Sequence, residues 1–170
     1  DGTKAVTVTN TGVNVTGGFL ISGQTVGAGV HVYNVLDYGV TRSGSSLDTT
    51  FAAANTTALQ TLWVTVATAG GGTIYFPEGT FAFNAPVNLN HGFGNGIGIS
   101  MRGEGYATLI RIFDATRAAN GFVFGNAATT STGLLARFAI SDLWFNQESV
   151  ATAGAPILLE NVQDCVVSRV

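Results

Sequence analysis

Charged residues are scarce in this sequence. Only 10% of its 170 residues are charged, whereas a typical globular domain carries about 25%. The seven basic residues are Lys4 and the arginines, which lie far apart along the chain. Binding to a phosphate backbone requires clustered Lys and Arg, so nucleic acid is not an expected partner. The apolar content of 46% excludes a disordered chain, whose composition is charged and poor in apolar residues.

Cysteine, histidine and long apolar runs are also scarce. Cys165 is the single cysteine, which excludes an intrachain disulfide and a cysteine-rich zinc site. His31 and His91 are the two histidines, and neither stands at a spacing typical of metal ligands. The most apolar stretches, such as 134–140, are far shorter than the roughly 20 residues of a membrane span. We therefore predict no metal, no cofactor and no membrane insertion.

Glycine, threonine, valine and phenylalanine are abundant instead, with 23 Gly and 11 Phe. This balance favours short β-strands joined by tight turns. One segment has a helical period, because apolar residues recur in it at steps of three and four. They are Phe51, Ala54, Ala58, Leu62 and Val66. Asp48 is a suitable N-cap and Gly70–Gly72 a suitable end, so we predict a helix over Asp48–Ala69.

From Thr73 onward, short apolar runs alternate with Gly, Asn, Asp and Pro. Leu143–Phe145 and Cys165–Val167 lie about one turn of a β-solenoid apart, and Asn146 and Asn161 suit its corners, because Asn tolerates left-handed backbone angles. This recurrence predicts a parallel β-helix whose open apolar end the helix could cap. An antiparallel sandwich has turns at similar intervals, but the single helix before the strands argues against it.

Residues 1–30 differ from the rest of the chain. Alternating valines within 6–8 and 13–15 flank a turn, and Phe19–Ile21 adds another short strand. Strands this short cannot bury a core of their own, so we expect this arm to pack on another copy of itself or on a larger particle. We divide the chain into a β-structured arm (1–30), an entry segment with the capping helix (31–72) and the first coils of the solenoid (73–170).

Several motifs resemble the start of the pectate-lyase-like right-handed β-helix superfamily. They are VYNVLDYG at 32–39, Asp48-Thr49-Thr50 followed by the alanine-rich helix, GGTIYFPEGTF at 71–81, and ISMRGEG at 99–105. The resemblance implies a mainly β fold: a right-handed parallel β-helix with an N-terminal capping α-helix and a short β-structured arm. The chain departs from the family pattern in two respects. Residues Thr41–Leu47 stand where the family often has an aspartate-rich stretch. The repeating pattern is also unfinished at Val170, so we expect a longer polypeptide.

Within that superfamily, an arm ahead of the entry motif resembles bacteriophage tailspikes or head spikes. The resemblance implies a homotrimer on the virion surface, attachment to other virion proteins through residues 1–29, and binding of host surface polysaccharide. Two alternatives stay open. The chain could be the first part of a polysaccharide-degrading lyase or hydrolase whose active site lies beyond residue 170, or a secreted bacterial adhesin.

Candidate site residues are few. Glycoside hydrolysis needs two carboxylates about 5–9.5 Å apart, and Asp142 and Glu160 are the nearest outward candidates; solvated turn carboxylates are the simpler interpretation. Trp144 and Tyr106 could stack on sugar rings, although packing in the core or at a subunit interface explains such aromatics as well. We therefore expect residues 1–170 alone to lack hydrolase or lyase activity.

Overall fold

A computed structural model describes residues 19–21, 24–26, 31–44, 48–89, 98–114, 119–125, 135–147 and 154–170. The chain divides into two compact units, Asp1–Val30 and His31–Val170. In the first unit, strands β1 (Phe19–Ile21) and β2 (Gln24–Val26) form an antiparallel pair in which Phe19 lies opposite Val26. Strand β1 coincides with a predicted strand, whereas the predicted valine strands within 6–15 lie outside the described residues.

The second unit begins with a short strand and a single turn of 3₁₀ helix, continues with one α-helix, and is then built from strands. Its elements in chain order are β3 (Val32–Asn34), the 3₁₀ turn (Val35–Tyr38), α1 (Ala52–Thr68), β4 (Gly72–Tyr75), β5 (Gly79–Asn84), β6 (Val87–Leu89), β7 (Ile99–Phe113), β8 (Phe122–Gly125), β9 (Leu135–Ala136), β10 (Phe138–Gln147), β11 (Ile157–Glu160), β12 (Val162–Gln163) and β13 (Val166–Ser168).

The described strands of the second unit pair in parallel and form three sheets. The largest sheet has six strands in the order β13-β10-β7-β4-β3, with β5 also paired to β7. A three-stranded sheet has the order β11-β8-β6, and β12 pairs with β9. Strand β7 is 15 residues long, and this length lets it pair with β4, β5 and β10. It is therefore the strand that joins the largest sheet together.

The predicted helix-capped, right-handed parallel β-helix is wrong. The described residues form mostly parallel sheets with a single α-helix, and these sheets are not closed or coiled into a solenoid. The prediction assumed strands of similar length, but they range from two to 15 residues. Short apolar runs identify strands without showing which runs belong to one strand. The apolar runs 97–101 and 109–113, for example, predict two separate strands, whereas 99–101 and 109–113 are both parts of β7.

The predicted strand neighbours also need correction. We expected Leu143–Phe145 to lie beside Cys165–Val167. Instead, β13 (Val166–Ser168) pairs with residues 139–141 of β10, and Ile140 lies opposite Val167. Asn161 has the predicted left-handed backbone, with φ 48°, whereas Asn146 lies within β10 and has no positive φ. Both errors have the same origin, because register depends on hydrogen bonds between distant segments and not on local composition.

Helix α1 lies within the predicted range, but its start and its buried face differ from the prediction. The Asp48 carboxylate accepts hydrogen bonds from the amides of Thr50 (2.9 Å) and Gly44 (3.3 Å), so it closes the preceding loop and does not cap the helix. The N-cap position is Phe51, which makes no capping side-chain bond. At the other end the Gly71 amide donates to the Val66 carbonyl (2.9 Å), as expected for a glycine-terminated helix.

The buried face of α1 is rotated from the predicted apolar stripe. It consists of Ala52, Asn55, Leu59, Leu62, Trp63, Val66 and Ala67. Leu62 and Val66 belong to both stripes, while Phe51 is partly exposed. Trp63 decides the orientation, since its fully buried ring meets the edge of Phe124 at 5.8 Å between centroids. Burial of one large apolar side chain stabilises by about 1.5–3 kcal/mol, so the helix turns towards the aromatic ring.

Phenylalanine rings pack against one another within the largely aliphatic core beneath the sheets. Phe83 and Phe122 meet edge to face at 5.2 Å, and Phe124 and Phe138 stack at 5.1 Å. These rings belong to different sheets, since β5 and β10 lie in the largest sheet and β8 in the three-stranded one. Such aromatic pairs add about 0.5–1.5 kcal/mol beyond their buried area. The aromatic packing therefore holds the two sheets together.

One buried polar side chain connects α1 to the strands. The side-chain amide group of Asn55, which is fully buried, donates to the carbonyls of Thr41 (2.8 Å) and Ala82 (3.0 Å). Its Oδ1 accepts from the Thr41 amide (2.7 Å). The three bonds join the side chain to the backbone of two segments distant in sequence. Asn55 thus connects α1 by hydrogen bonds to the loop before it and to β5.

Replacing Asn55 by alanine should lower the free energy of unfolding by about 1–3 kcal/mol, because it removes a fully buried side chain that makes three hydrogen bonds to the backbone of Thr41 and Ala82. Urea unfolding followed by circular dichroism measures this loss. Thr57→Ala on the exposed helix face is the matched control and should change the stability by less than about 0.5 kcal/mol. Equal effects of the two substitutions would contradict the role assigned to Asn55.

Candidate functional site

A row of polar side chains crosses the outer face of the six-stranded sheet. The strand register places Tyr75, Arg102, Ser141 and Ser168 side by side on β4, β7, β10 and β13. The next row in register, which begins with the buried Ile74, points to the core. Because neighbouring strands are about 4.8 Å apart, the polar row presents a hydroxyl or guanidinium group at regular intervals.

An irregularity in β7 interrupts this surface. Leu143 of β10 lies opposite Gly105, but the next residue, Trp144, lies opposite Leu109, so residues 106–108 form a bulge with no counterpart in β10. Gly105 has φ 65°, a conformation that glycine adopts without strain. The bulge turns Tyr106 outward, and its side chain is 86% exposed.

Thr108 holds the base of this bulge. Its fully buried hydroxyl accepts a hydrogen bond from the Glu104 amide (2.9 Å) and lies within bonding distance of the Pro77 carbonyl (3.1 Å). The bulge is therefore tied both to its own strand and to the turn before β5. This anchoring gives Tyr106 a defined position although the side chain itself is solvated.

Tyr106 and Trp144 form an aromatic pair on the surface. Their rings meet edge to face with centroids 5.7 Å apart, and Trp144 is 43% exposed. They border a groove of about 630 Å³, which we call the aromatic groove. It is lined by Gly105, Tyr106, Asp142, Leu143, Trp144, Phe145, Arg169 and Val170. Exposed flat apolar rings beside polar groups are typical of a binding surface.

An ion pair lies at one edge of the aromatic groove. Arg169 donates from Nε to Oδ1 of Asp142 and from Nη2 to Oδ2 at 2.8 Å. Both residues have left-handed backbone angles, with φ 56° at Asp142 and 49° at Arg169. The bond from Arg169 holds the pKa of Asp142 below its ordinary value, and it raises the pKa of Arg169. Both groups are therefore charged at neutral pH.

Glycine at position 103 permits this arrangement. A Cβ atom there would lie 2.5 Å from the carbonyl oxygen of Asp142 and 2.5 Å from Cδ2 of Leu143. Only a residue without a side chain lets β7 approach the turn at Asp142 so closely. The position of the ion pair thus depends on the backbone contact beneath it.

A second groove of about 680 Å³ lies on the other side of the ion pair; we call it the charged groove. It is lined by Val32, Tyr75, Arg102, Gly103, Glu104, Gly105, Asp142 and Arg169. The Tyr75 hydroxyl donates to Oε1 of Glu104, and this bond raises the pKa of Tyr75. The two grooves share Gly105, Asp142 and Arg169, so together they form one continuous surface.

The structure brings together three of the four predicted site residues. Tyr106 and Trp144 are in contact, and Asp142 lines the same groove. Glu160 lies at the end of β11 in the three-stranded sheet and lines neither groove. The predicted carboxylate partner of Asp142 is thus replaced at this surface by a guanidinium group.

Sequence reasoning did not place Tyr75, Arg102, Glu104 and Arg169 at one site, and it did not pair Arg169 with Asp142. Two of the contacts share one sequence interval. Asp142 and Arg169 are 27 residues apart, and the same interval separates the paired Tyr75 and Arg102. This interval follows from the strand register, so the sequence by itself gives no local reason to select it.

No cluster of three or more His, Cys, Asp or Glu side chains suited to a metal ion occurs in the part of the chain that the structure describes. Across the same residues, no helix combines the length and the apolar character needed to cross a bilayer.

Comparison with known proteins yields one structural likeness. No family model matches the chain, and no curated protein matches it. It is similar to a solved structure named "Geobacillus virus E2 - ORF18", with a TM-score of 0.53 and 22% sequence identity. The likeness covers 79% of this chain and 25% of that structure, so the chain spans about a quarter of its length. At this identity the likeness concerns the fold, and it does not extend to the superfamily named from the motifs.

Replacing Arg169 by glutamine should raise the pKa of Asp142 towards its ordinary value of 3.8, because the bond that favours the carboxylate is lost. In the wild type, the lowered pKa stabilises the fold above that ordinary value, and this contribution is lost as the pH falls through the folded-state pKa. Arg169→Gln should therefore lose less stability on acidification. Carboxyl ¹³C NMR titration measures the pKa, and an unchanged titration of Asp142 would disprove the pairing. Arg137→Gln, at an exposed turn outside both grooves, is the control.

Proposed function

We propose that this chain is part of a bacteriophage particle and contacts polysaccharide on the host surface through the aromatic groove. The observation that carries the proposal is the exposed Tyr106–Trp144 pair beside the Asp142–Arg169 ion pair. The likeness to a structure named for a Geobacillus virus supports the association with a phage. We assign the chain to a spike on the virion surface, because a spike is the part of a phage particle that contacts host polysaccharide.

The chemistry of the groove fits a sugar chain. Pyranose rings carry C–H faces that pack on aromatic rings, and hydroxyl groups around their rims that need hydrogen-bond partners. Tyr106 and Trp144 supply the flat apolar surface, while Asp142 and Arg169 supply an acceptor and donors at its edge. Tyr and Trp combine large contact area with little loss of side-chain entropy, so an exposed pair is an efficient binding surface.

Binding is better supported than hydrolysis at this surface. The two carboxylates near the grooves are both engaged, Asp142 by Arg169 and Glu104 by Tyr75. A general acid must be protonated near neutral pH, whereas Arg169 lowers the pKa of Asp142. The surface is thus arranged to hold a ligand in place.

The arm at residues 1–29 is proposed to join three copies of the chain and to attach them to other virion proteins. The described part of the arm is an antiparallel pair of three-residue strands. Such a pair is marginal by itself, and closure about a three-fold axis would cover its edges. A trimer would also present three copies of the aromatic groove, which strengthens binding to a repetitive polysaccharide.

Trp144→Ala and Tyr106→Ala should each weaken polysaccharide binding by about tenfold or more, equivalent to roughly 1.4 kcal/mol, because each removes half of the aromatic surface. Binding to an array of purified bacterial surface polysaccharides, followed by titration of those that bind, provides the measurement. Tyr38→Ala removes another exposed aromatic ring that lies outside both grooves and should bind like the wild type. Equal losses in all three variants, or no binding by the wild type, would refute the assignment.

Removal of residues 1–29 should convert the trimer to a monomer and abolish binding to phage particles, while polysaccharide binding at a single groove persists. Light scattering coupled to size-exclusion chromatography gives the mass, and co-sedimentation with particles gives the attachment. A truncated chain that stays trimeric, or that still co-sediments, would show that the arm is not the anchor.

A further inference from the structure

Arg102 lies in the charged groove, and none of the residues that the structure describes is bonded to its guanidinium group. It stands in the middle of the polar row, between Tyr75 on β4 and Ser141 on β10, and its side chain is exposed. Its backbone carbonyl accepts from the Phe76 amide (2.8 Å). Within the described part of the chain, the guanidinium group itself makes no hydrogen bond or ion pair.

The carboxylates nearest to Arg102 are already engaged. Glu104 accepts from the Tyr75 hydroxyl, and Asp142 accepts two bonds from Arg169. Arg102 is close enough to contribute to the lowered pKa of Asp142, after the larger effect of Arg169, but it is not bonded to that carboxylate. Four charged groups line the groove, and among the described residues Arg102 is the one that makes no side-chain hydrogen bond or ion pair.

We propose that Arg102 binds a carboxylate group of the polysaccharide, so that the charged groove selects acidic sugars while the aromatic groove holds the neighbouring ring. This inference rests on the proposed function and specifies its substrate class. The two grooves share Gly105, Asp142 and Arg169, so one chain can occupy both. An acidic protein segment is the alternative ligand, but the adjacent aromatic pair favours a sugar.

The geometry of the polar row suits this ligand. A guanidinium group presents parallel N–H donors that match both oxygens of a carboxylate. Tyr75 and Ser141 lie one strand away on either side, at about 4.8 Å. The Tyr75 hydroxyl, which donates to Glu104, can still accept a hydrogen bond from a hydroxyl group of the same sugar. The bond between Arg169 and Asp142 keeps that carboxylate from occupying Arg102 in place of the ligand.

The decisive experiment compares acidic polysaccharides with forms of the same polymers whose carboxyl groups have been reduced to alcohols. Alginate, hyaluronan and purified acidic capsular polysaccharides are the probes, with dextran as a neutral polymer and polyglutamate as an acidic peptide. Isothermal titration calorimetry with the whole chain gives the affinities. The variants are Arg102→Gln, Arg102→Lys and Trp144→Ala, and the matched control is Arg137→Gln, which removes an exposed arginine outside both grooves.

We expect at least one acidic polysaccharide to bind. Carboxyl reduction and Arg102→Gln should each weaken that binding at least about tenfold, and the two changes together should weaken it no further than either alone, because they remove the same contact. Arg102→Lys should lose part of the affinity. Raising the salt from about 50 to about 300 mM should weaken binding of the wild type more than that of Arg102→Gln. Arg137→Gln should bind like the wild type.

Three outcomes would overturn the inference. If affinity survives carboxyl reduction but falls in Trp144→Ala, the polysaccharide function stands and the acidic subsite is refuted. If polyglutamate binds and no polysaccharide does, the groove serves a protein partner, and both proposals fail. If no probe binds the wild type, the proposed function fails and this inference fails with it.

Discussion

The structure depends on the parallel pairing of β7 with its neighbours. Strand β7 joins β4 and β5 on one side to β10 on the other, so its register determines which side chains point to the core and which point outward. A shift of one residue would exchange Met101 with Arg102 and place a charged group in an aromatic interior. The cost of burying an unpaired guanidinium group is far larger than the gain from any surface contact, so this register is strongly favoured.

The candidate site arises where that pairing is irregular. A regular ladder would present only the polar row, whereas the bulge at 106–108 adds Tyr106, and the left-handed turn at Asp142 places its carboxylate within reach of Arg169. Gly103 and Thr108 support these departures, the first by its small size and the second by its buried hydroxyl. These two residues therefore shape the site through packing and backbone position.

Electrostatics divides the surface into an apolar part and a charged part. Arg169 forms an ion pair with the Asp142 carboxylate, and the Tyr75 hydroxyl donates to the Glu104 carboxylate. Both carboxylates therefore already have a partner. What remains accessible is an apolar pair of rings on one side and the donors of Arg102 on the other. Such a combination of stacking surface and directed donors matches an amphipathic ligand better than a purely apolar or a purely ionic one.

The amino-acid sequence alone determined the position of the helix and of several strands, because the helical spacing of apolar residues, the terminating glycines and the short β-branched runs are local signals. It also identified Trp144, Tyr106 and Asp142 as candidates, but as unrelated residues. Only the tertiary structure decided that the sheets are separate, that Asp142 meets Arg169 and that Tyr106 meets Trp144. These contacts are set by strand register and by a bulge, and both depend on backbone hydrogen bonds between segments far apart in the chain, for which a single sequence carries no local signal.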